Sequence, residues 1–257
     1  MQKIDVLIIL DACRYDIFEK VYKKIIGGTV EKRISPARHT LEYYQKAYPN
    51  KYNMILVSTN ALLNSKGIIF NIGGNTYNAK EHFKKVIDVW DTGWDSKLNT
   101  VHPVEVDKHV VMAMSLYPKS RFIIHYMQPH APYIYYNEKG YKTTAHVRTP
   151  GKESLTTNFL YKHLKQETMW KLADNLPKNG MGYLWKKVGR KGIIRGYYED
   201  LKLVLKYVKS LMEYAPKKNF VITSDHGERL GEHGNYGHHH TGGYDKEIVE
   251  VPWWTNE

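Results

Sequence analysis

The chain has one cysteine, Cys13, among 257 residues. No intrachain disulfide can form, so nothing calls for an oxidising compartment. No apolar run approaches the ~20 residues of a membrane span. The opening MQKIDVLIIL is short and interrupted by Asp5, so it does not read as a signal peptide. A soluble, cytoplasmic protein is the expectation. Internal repeats, low-complexity tracts and a recognisable nucleic-acid-binding module are also missing. Acidic residues are in deficit: 26 Asp and Glu stand against 38 Lys and Arg, a formal charge of +12. Such a field favours anionic partners, such as phosphorylated or sulfated substrates or acidic membranes, although solubility alone also accounts for it. Phe is scarce, at 6 residues, while Tyr reaches 21 and Trp 6. Tyr and Trp pair a polar atom with an apolar body and suit half-exposed surfaces and clefts.

With 42% hydrophobic residues over this length, the chain can bury one substantial core. Ile4–Leu10 is a nearly continuous apolar run, the signature of a strand buried on both faces. Residues 14–26 read as a helix stopped by Gly27-Gly28, and Leu41–Ala47 and Asp107–Leu116 as two more. Met54–Ser58, Val86–Trp90, Arg121–Met127 and Phe220–Thr223 read as strands, with a last short one at Val249–Val251. Tyr197–Met212 is an amphipathic helix with Leu201, Leu205, Val208 and Leu211 on one face. Residues 136–195 are rich in Lys, Gly, Tyr and Asn, and read as an irregular or helical insertion into a single domain covering 1–257. Strands alternating with helices imply an α/β fold: a mostly parallel central sheet with helices on both faces.

In such sheets ligands bind beyond the carboxyl ends of the strands. Asp11, His130 and Asp225 each lie at or just after such an end. The richest segment is Val221–His240, VITSDHGERLGEHGNYGHHH, where a strand runs into carboxylates and imidazoles set among glycines. Asp and His are ligands for borderline divalent cations, so Asp225 and His226 read as a metal pair with Asp11 as a third ligand. A helix cap is the plainer reading of either Asp. Arg14 can meet an anionic substrate or a nearby carboxylate. Cys13 reads as a small buried hydrophobe, and His125, inside its strand, as packed. Ser35 and Thr40 are hydroxyls in a loop before a helix. A hydroxyl beside a divalent cation ionises more readily and becomes a nucleophile. His130, between Pro129 and Pro132, can bind a substrate oxygen or protonate a leaving group. Of His238, His239 and His240, one is expected to face the site. Glu228, Glu232 and His233 read as supporting residues.

Taken in order, LDACR, SPARHT, QPHAPY and SDHGERLGEHGNYGH resemble the sulfatase-like branch of the alkaline phosphatase superfamily, over residues 4 to about 252. The last block is the most specific. The resemblance implies an alkaline phosphatase-like core without the C-terminal sulfatase subdomain. It implies one divalent metal ion (Mn, Zn, Ca or Mg) held by Asp11, Asp225 and His226, with the nucleophile completing the shell. His130 matches the histidine that contacts the substrate or leaving group. His238 stands where sulfatases carry a Lys on the sulfate or phosphate group, and can do the same or bind a second metal. Sulfatases place a Cys, oxidised to formylglycine, in this loop; here the loop is Ile34–Thr40 and has none. Thr40 fits the transferase-like pattern and is favoured over Ser35. The Asp that two-metal relatives supply from the long helix aligns with Leu205, Asp200 lying a turn early, so one metal is favoured over two. The implied activity is hydrolysis of a phosphate or sulfate ester through a hydroxyl nucleophile and a covalent intermediate, with charge stabilised by Arg14 and His238. The alternatives are transfer of a phospho-alcohol group to a glycan or lipid, or anion binding without turnover.

Overall fold

A computed structural model describes residues 4–141, 165–172, 180–238 and 244–256. Seven strands form its central sheet: β1 Val6–Leu10, β2 Thr29–Ile34, β3 Tyr52–Ser58, β4 Phe83–Asp88, β5 Arg121–Tyr126, β6 Phe220–Thr223 and β7 Glu250–Thr255. They lie in the order β2-β7-β6-β1-β5-β3-β4. The pairings from β6 through β1, β5 and β3 to β4 are all parallel. The antiparallel pairings are β7 on β6 and β2 on β7, at one side of the sheet. The sheet is thus mostly parallel, as the alternation of apolar runs with helical segments predicts.

The main helices are α1 Tyr15–Val21, α2 Thr40–Ala47, α3 Pro103–Leu116, the single turn α4 Ile134–Asn137, and α5 Met181–Tyr214. The continuous apolar run of β1 explains their placement. Successive side chains alternate across a strand. Val6, Ile8 and Leu10 therefore enter one core, with Phe18 of α1, Val106 and Val110 of α3, and Leu201, Leu205 and Val208 of α5. Leu7 and Ile9 enter the other, with Leu41 and Tyr44 of α2. Both faces of the sheet are covered.

β2 and α5 depart most from the sequence reading. β2 has no sequence signal: its Glu31-Lys32-Arg33 stretch is exposed and the strand exists through its ladder with β7. Charged residues on such an edge also discourage pairing with another chain. α5 starts well before Tyr197, inside the expected insertion, and bends at Gly189. Its face toward α4 is bare at Gly196, where an added Cβ would lie 2.8 Å from Tyr136 Cε2 and 2.9 Å from Tyr133 Cδ2. Close approach there presses α5 against the loop that carries His130. The rest of the expected insertion lies largely outside the described residues.

Candidate metal and nucleophile site

Because β1, β3, β5 and β6 run parallel, their carboxyl ends meet at one edge, and polar residues follow β1, β3 and β6 there. Asp11 follows β1, Asn60 follows β3, and Ser224, Asp225 and His226 follow β6. Thr40 enters this edge from the side as the first residue of α2, whose N-cap is His39.

The turn after β1 is tightly specified. Ala12 has φ 56, a left-handed conformation unusual for a side chain with a Cβ. This lets the Ala12 N–H donate to Asp225 Oδ1 at 3.2 Å. Tyr197 of α5, fully buried, donates its hydroxyl to the Ala12 carbonyl at 2.7 Å and accepts from the Arg14 N–H at 2.9 Å. Ser224 donates to the Leu10 carbonyl at 2.6 Å and accepts from the Cys13 N–H at 2.7 Å, tying the ends of β1 and β6. Cys13 is buried and its thiol is pushed up by that burial, so it takes the role of a small core residue. Gly227 packs so closely on the Glu247 carbonyl that a Cβ has no room.

Asp11, Asp225 and His226 come together: one ligating atom from each lies within 4.8 Å of the others, and all three residues are buried. His226 Nε2 is 3.4 Å from Asp225 Oδ2 and 3.8 Å from Asp11 Oδ1. His226 Nδ1 faces the Gly227 carbonyl at 2.9 Å, which only an N–H can satisfy, so the ring presents Nε2 to the carboxylates. That Nε2 has no hydrogen-bond partner despite full burial. A lone pair held against carboxylate oxygens in a dry site is unfavourable unless a cation lies between them. The donor set therefore fits a divalent metal. Among the described residues it is the one group of three such ligands.

Thr40 Oγ1 donates to Asp225 Oδ2 at 2.9 Å, and Asn60 Nδ2 spans Asp11 Oδ2 at 3.1 Å and Thr40 Oγ1 at 3.4 Å. Ser35 points elsewhere, donating to the Asp225 backbone carbonyl and accepting from the Ala37 N–H at 3.2 Å. Burial would raise the Asp11 carboxyl. The hydrogen bond from His125 and the charges of His130 and His125 overcome this and hold it below the usual carboxylate range.

His130 is half-buried in the loop after β5, and its Nδ1 bonds the Ala131 carbonyl, leaving Nε2 for another partner. Burial lowers its basicity, but Glu228 and Asp11 outweigh this and raise it. The His238 ring stands 5.4 Å from that of His130 and 4.2 Å from that of His226, with Nδ1 3.0 Å from the Arg38 carbonyl. Both imidazoles thus adjoin the cluster. His239 and His240 lie outside the described residues.

Arg14 occupies a different position from the one expected of a charge-stabilising residue. Its Nε and Nη2 hold Asp16 at 2.9 Å each, and Nη1 holds Glu232 Oε1 at 2.8 Å and the Glu228 carbonyl at 3.2 Å. All three nitrogens are in use on carboxylates and backbone, so Arg14 braces the loop after β6 against the turn after β1. Leu205 is a core residue, and Asp200 caps α4 by accepting from the N–H groups of Ile134 at 2.7 Å and Tyr135 at 2.9 Å.

Three residues carry more of the site than their sequence context suggests. His125 is buried, but its Nε2 reaches Asp11 Oδ2 at 3.3 Å while Nδ1 meets the Tyr44 hydroxyl at 3.1 Å. A His in an otherwise apolar strand needs partners, and that was the available signal. Asn60 ends the polar triplet Ser58-Thr59-Asn60, the same strand-end signal that marks Asp11 and Asp225. Glu228 is buried with Oε1 unpartnered, and burial pushes its carboxyl up to about 7 against the pull of His130. Beside the loop, a cleft of 600 Å³ lined by Arg190, Arg229, Glu232 and His233 mixes both charges.

A sulfatase family model matches residues 111–253. Among solved structures, the integral membrane protein lipooligosaccharide phosphoethanolamine transferase A from Neisseria meningitidis superposes with a TM-score of 0.56 at 12% identity, covering 100% of this chain and 48% of that one. A protein from Bacteroides thetaiotaomicron VPI-5482 assigned as a sulfatase gives 0.52 at 14% identity, covering 99% and 64%. The phosphonate monoester hydrolase of Agrobacterium radiobacter gives 0.53 at 14%, covering 100% and 68%. The chain therefore spans under two thirds of the first two. These likenesses show a common fold. No curated protein sequence matches the chain significantly.

Proposed function

The chain belongs to the sulfatase family, and from that premise we propose that it is a metal-dependent hydrolase of phosphate or sulfate esters with Thr40 as nucleophile. The observation that carries this reading is the position of Thr40 Oγ1, 2.9 Å from Asp225 Oδ2 and held by Asn60 beside Asp11. Asp11, Asp225, His226 and Thr40 would hold one divalent cation, Mn, Zn, Ca or Mg, which when bound lowers the pKa of a neighbouring hydroxyl and offsets charge on the ester oxygens.

The protein's own residues supply the remaining roles. Thr40 directs its hydroxyl proton at Asp225 Oδ2, exposing the oxygen lone pair to phosphorus or sulfur. Asn60 fixes the hydroxyl and Asp11 relative to each other. As Thr40 Oγ1 bonds to the central atom, its proton passes to Asp225 Oδ2 and the bond to the leaving alcohol breaks. His130, its basicity raised by Glu228 and Asp11, gives its Nε2 proton to that alcohol. His238 contacts the non-bridging oxygens. Water, giving a proton back to His130, then attacks the Thr40 ester; the Thr40 oxygen leaves and retakes its proton from Asp225 as phosphate or sulfate is released. If an alcohol takes the place of water, the same steps yield a phospho-alcohol transferase; the share of the Neisseria enzyme that this chain covers keeps that second reading open.

Thr40→Ala should abolish turnover of aryl phosphate, phosphodiester and sulfate substrates supplied with Mn, Zn, Ca or Mg, while bound metal, read by elemental analysis, persists. Full activity in that variant would sink the nucleophile assignment. Product analysis with and without an alcohol acceptor separates hydrolysis from transfer. Wild-type protein inert on the whole panel would point to anion binding without turnover.

A further inference from the structure

Residues 61–82 bring the chain from the carboxyl end of β3 back to the amino end of β4. Midway, Ile68, Ile69 and Phe70 are 48%, 59% and 36% exposed. Among the described residues no other consecutive large apolar side chains face solvent in this way. Single exposed apolar residues are ordinary, whereas a contiguous apolar tip marks an interaction surface. The tip is held out by structure. The buried Asn64 amide donates to the Ile68 carbonyl at 2.8 Å and accepts from the Ile68 N–H at 3.0 Å, and the Ser65 hydroxyl donates to Asp88 Oδ2 at 2.6 Å.

At the base of the tip, Gly67 borders a cleft of 750 Å³ that also carries Lys51, Lys80 and Lys84. All three lysines are exposed, and among the described residues none forms an ion pair. The cleft's one carboxylate, Glu81, accepts from Asn78 Nδ2 at 2.8 Å. The antiparallel ribbon that follows the tip reaches the catalytic edge, where Asn75 Nδ2 lies 3.2 Å from His39 Nε2, next to Thr40.

We propose that this face docks on a bilayer containing anionic lipids, with Ile68, Ile69 and Phe70 entering the headgroup boundary and Lys51, Lys80 and Lys84 meeting lipid phosphates. Interfacial binding combines burial of apolar side chains with attraction of cations to the surface, and both parts stand side by side here. A small soluble anion would use the lysines and leave the apolar tip unexplained. A second copy would set like charge against like, in a chain of formal charge +12.

Co-sedimentation with vesicles tests this, using phosphatidylcholine alone and phosphatidylcholine with about one third phosphatidylglycerol. The wild-type protein should pellet with the anionic vesicles and much less with the neutral ones, and added salt should release it. The double substitution Ile68→Ser, Ile69→Ser should weaken binding about tenfold or more. Lys80→Ser should weaken it about fivefold. All three side chains are exposed, so melting temperatures should match the wild type. Failure of the wild type to pellet with anionic vesicles, or equal pelleting of the double variant, would overturn the proposal. So would a dimer in sedimentation velocity that the double variant dissolves, since that would assign the face to a second copy.

Discussion

Tyr197→Phe removes one oxygen atom and leaves the ring. That oxygen serves two groups of the turn after β1, donating to the Ala12 carbonyl at 2.7 Å and accepting from the Arg14 N–H at 2.9 Å. Tyr197 is fully buried, and Ala12 and Arg14 are nearly so, so water has no ready access to either stranded group. A buried polar group that loses its partner costs about 1–3 kcal/mol. Two such groups place the loss at about 2–4 kcal/mol, once partial relaxation of the turn is allowed for. For a domain of this size that corresponds to a fall in Tm of roughly 5–15 °C. The same turn aims Asp11 and sets the Ala12 N–H on Asp225, so the loss should be felt at the site as well. Urea denaturation with matched m-values measures the stability term, and metal titration of the folded variant measures the second. A loss under about 0.5 kcal/mol, the size of an ordinary surface change, would refute the claim that Tyr197 clamps the turn.

Two other substitutions test separate parts of the structure. His125→Phe keeps a ring stacked on Tyr44, now 5.7 Å from it, but deletes the contact with Asp11; metal affinity should fall about 10–100-fold by calorimetric titration, and an unchanged affinity would remove His125 from the support of the site. Asp200 is pushed up to about 8 by burial, the bonds from Ile134 and Tyr135 pulling the other way. Between the ordinary carboxyl range and about pH 8 the folded chain therefore holds a proton that the unfolded chain has released. Its stabilising contribution is full at acid pH and is lost as the pH rises through that window, by at most about 1.4 kcal/mol per pH unit. Asp200→Asn should flatten this part of the stability profile measured by denaturation across pH, and an unaltered profile would contradict the assignment.

How far the sequence reached depends on where each signal comes from. β1, β3, β5 and β6 are legible because strands buried on both faces are apolar along their whole length. Asp11, Asp225 and Thr40 are legible because polar residues at the ends of several such strands converge on one edge, although each alone reads equally as a helix cap. β2 is not, since its residues are exposed and only the distant β7 makes them a strand. The first half of α5 carries four glycines at 182, 189, 192 and 196, which lower helix propensity. At 196 the reason is tertiary, since Tyr136 and Tyr133 occupy the space a side chain would need, whereas at 192 the Val188 side chain, across the bend at Gly189, takes it. From sequence, Arg14 is open between substrate and carboxylate, and the nearby Asp16 and Glu232, one of them more than two hundred residues away, decide it.

β1 and β6 are neighbours in the sheet although Ile8 and Ile222 are separated by most of the chain. Closing so long a loop adds only modestly to the entropic cost, since that cost grows with the logarithm of length, but contacts of this separation slow folding. During synthesis, Asp11 and Thr40 leave the ribosome long before Asp225 and His226 exist, so the proposed ligand set cannot assemble until residue 226 has emerged. If the cluster takes a cation as proposed, its capture would follow that step, and a cation binding only the native state would hold it there by mass action.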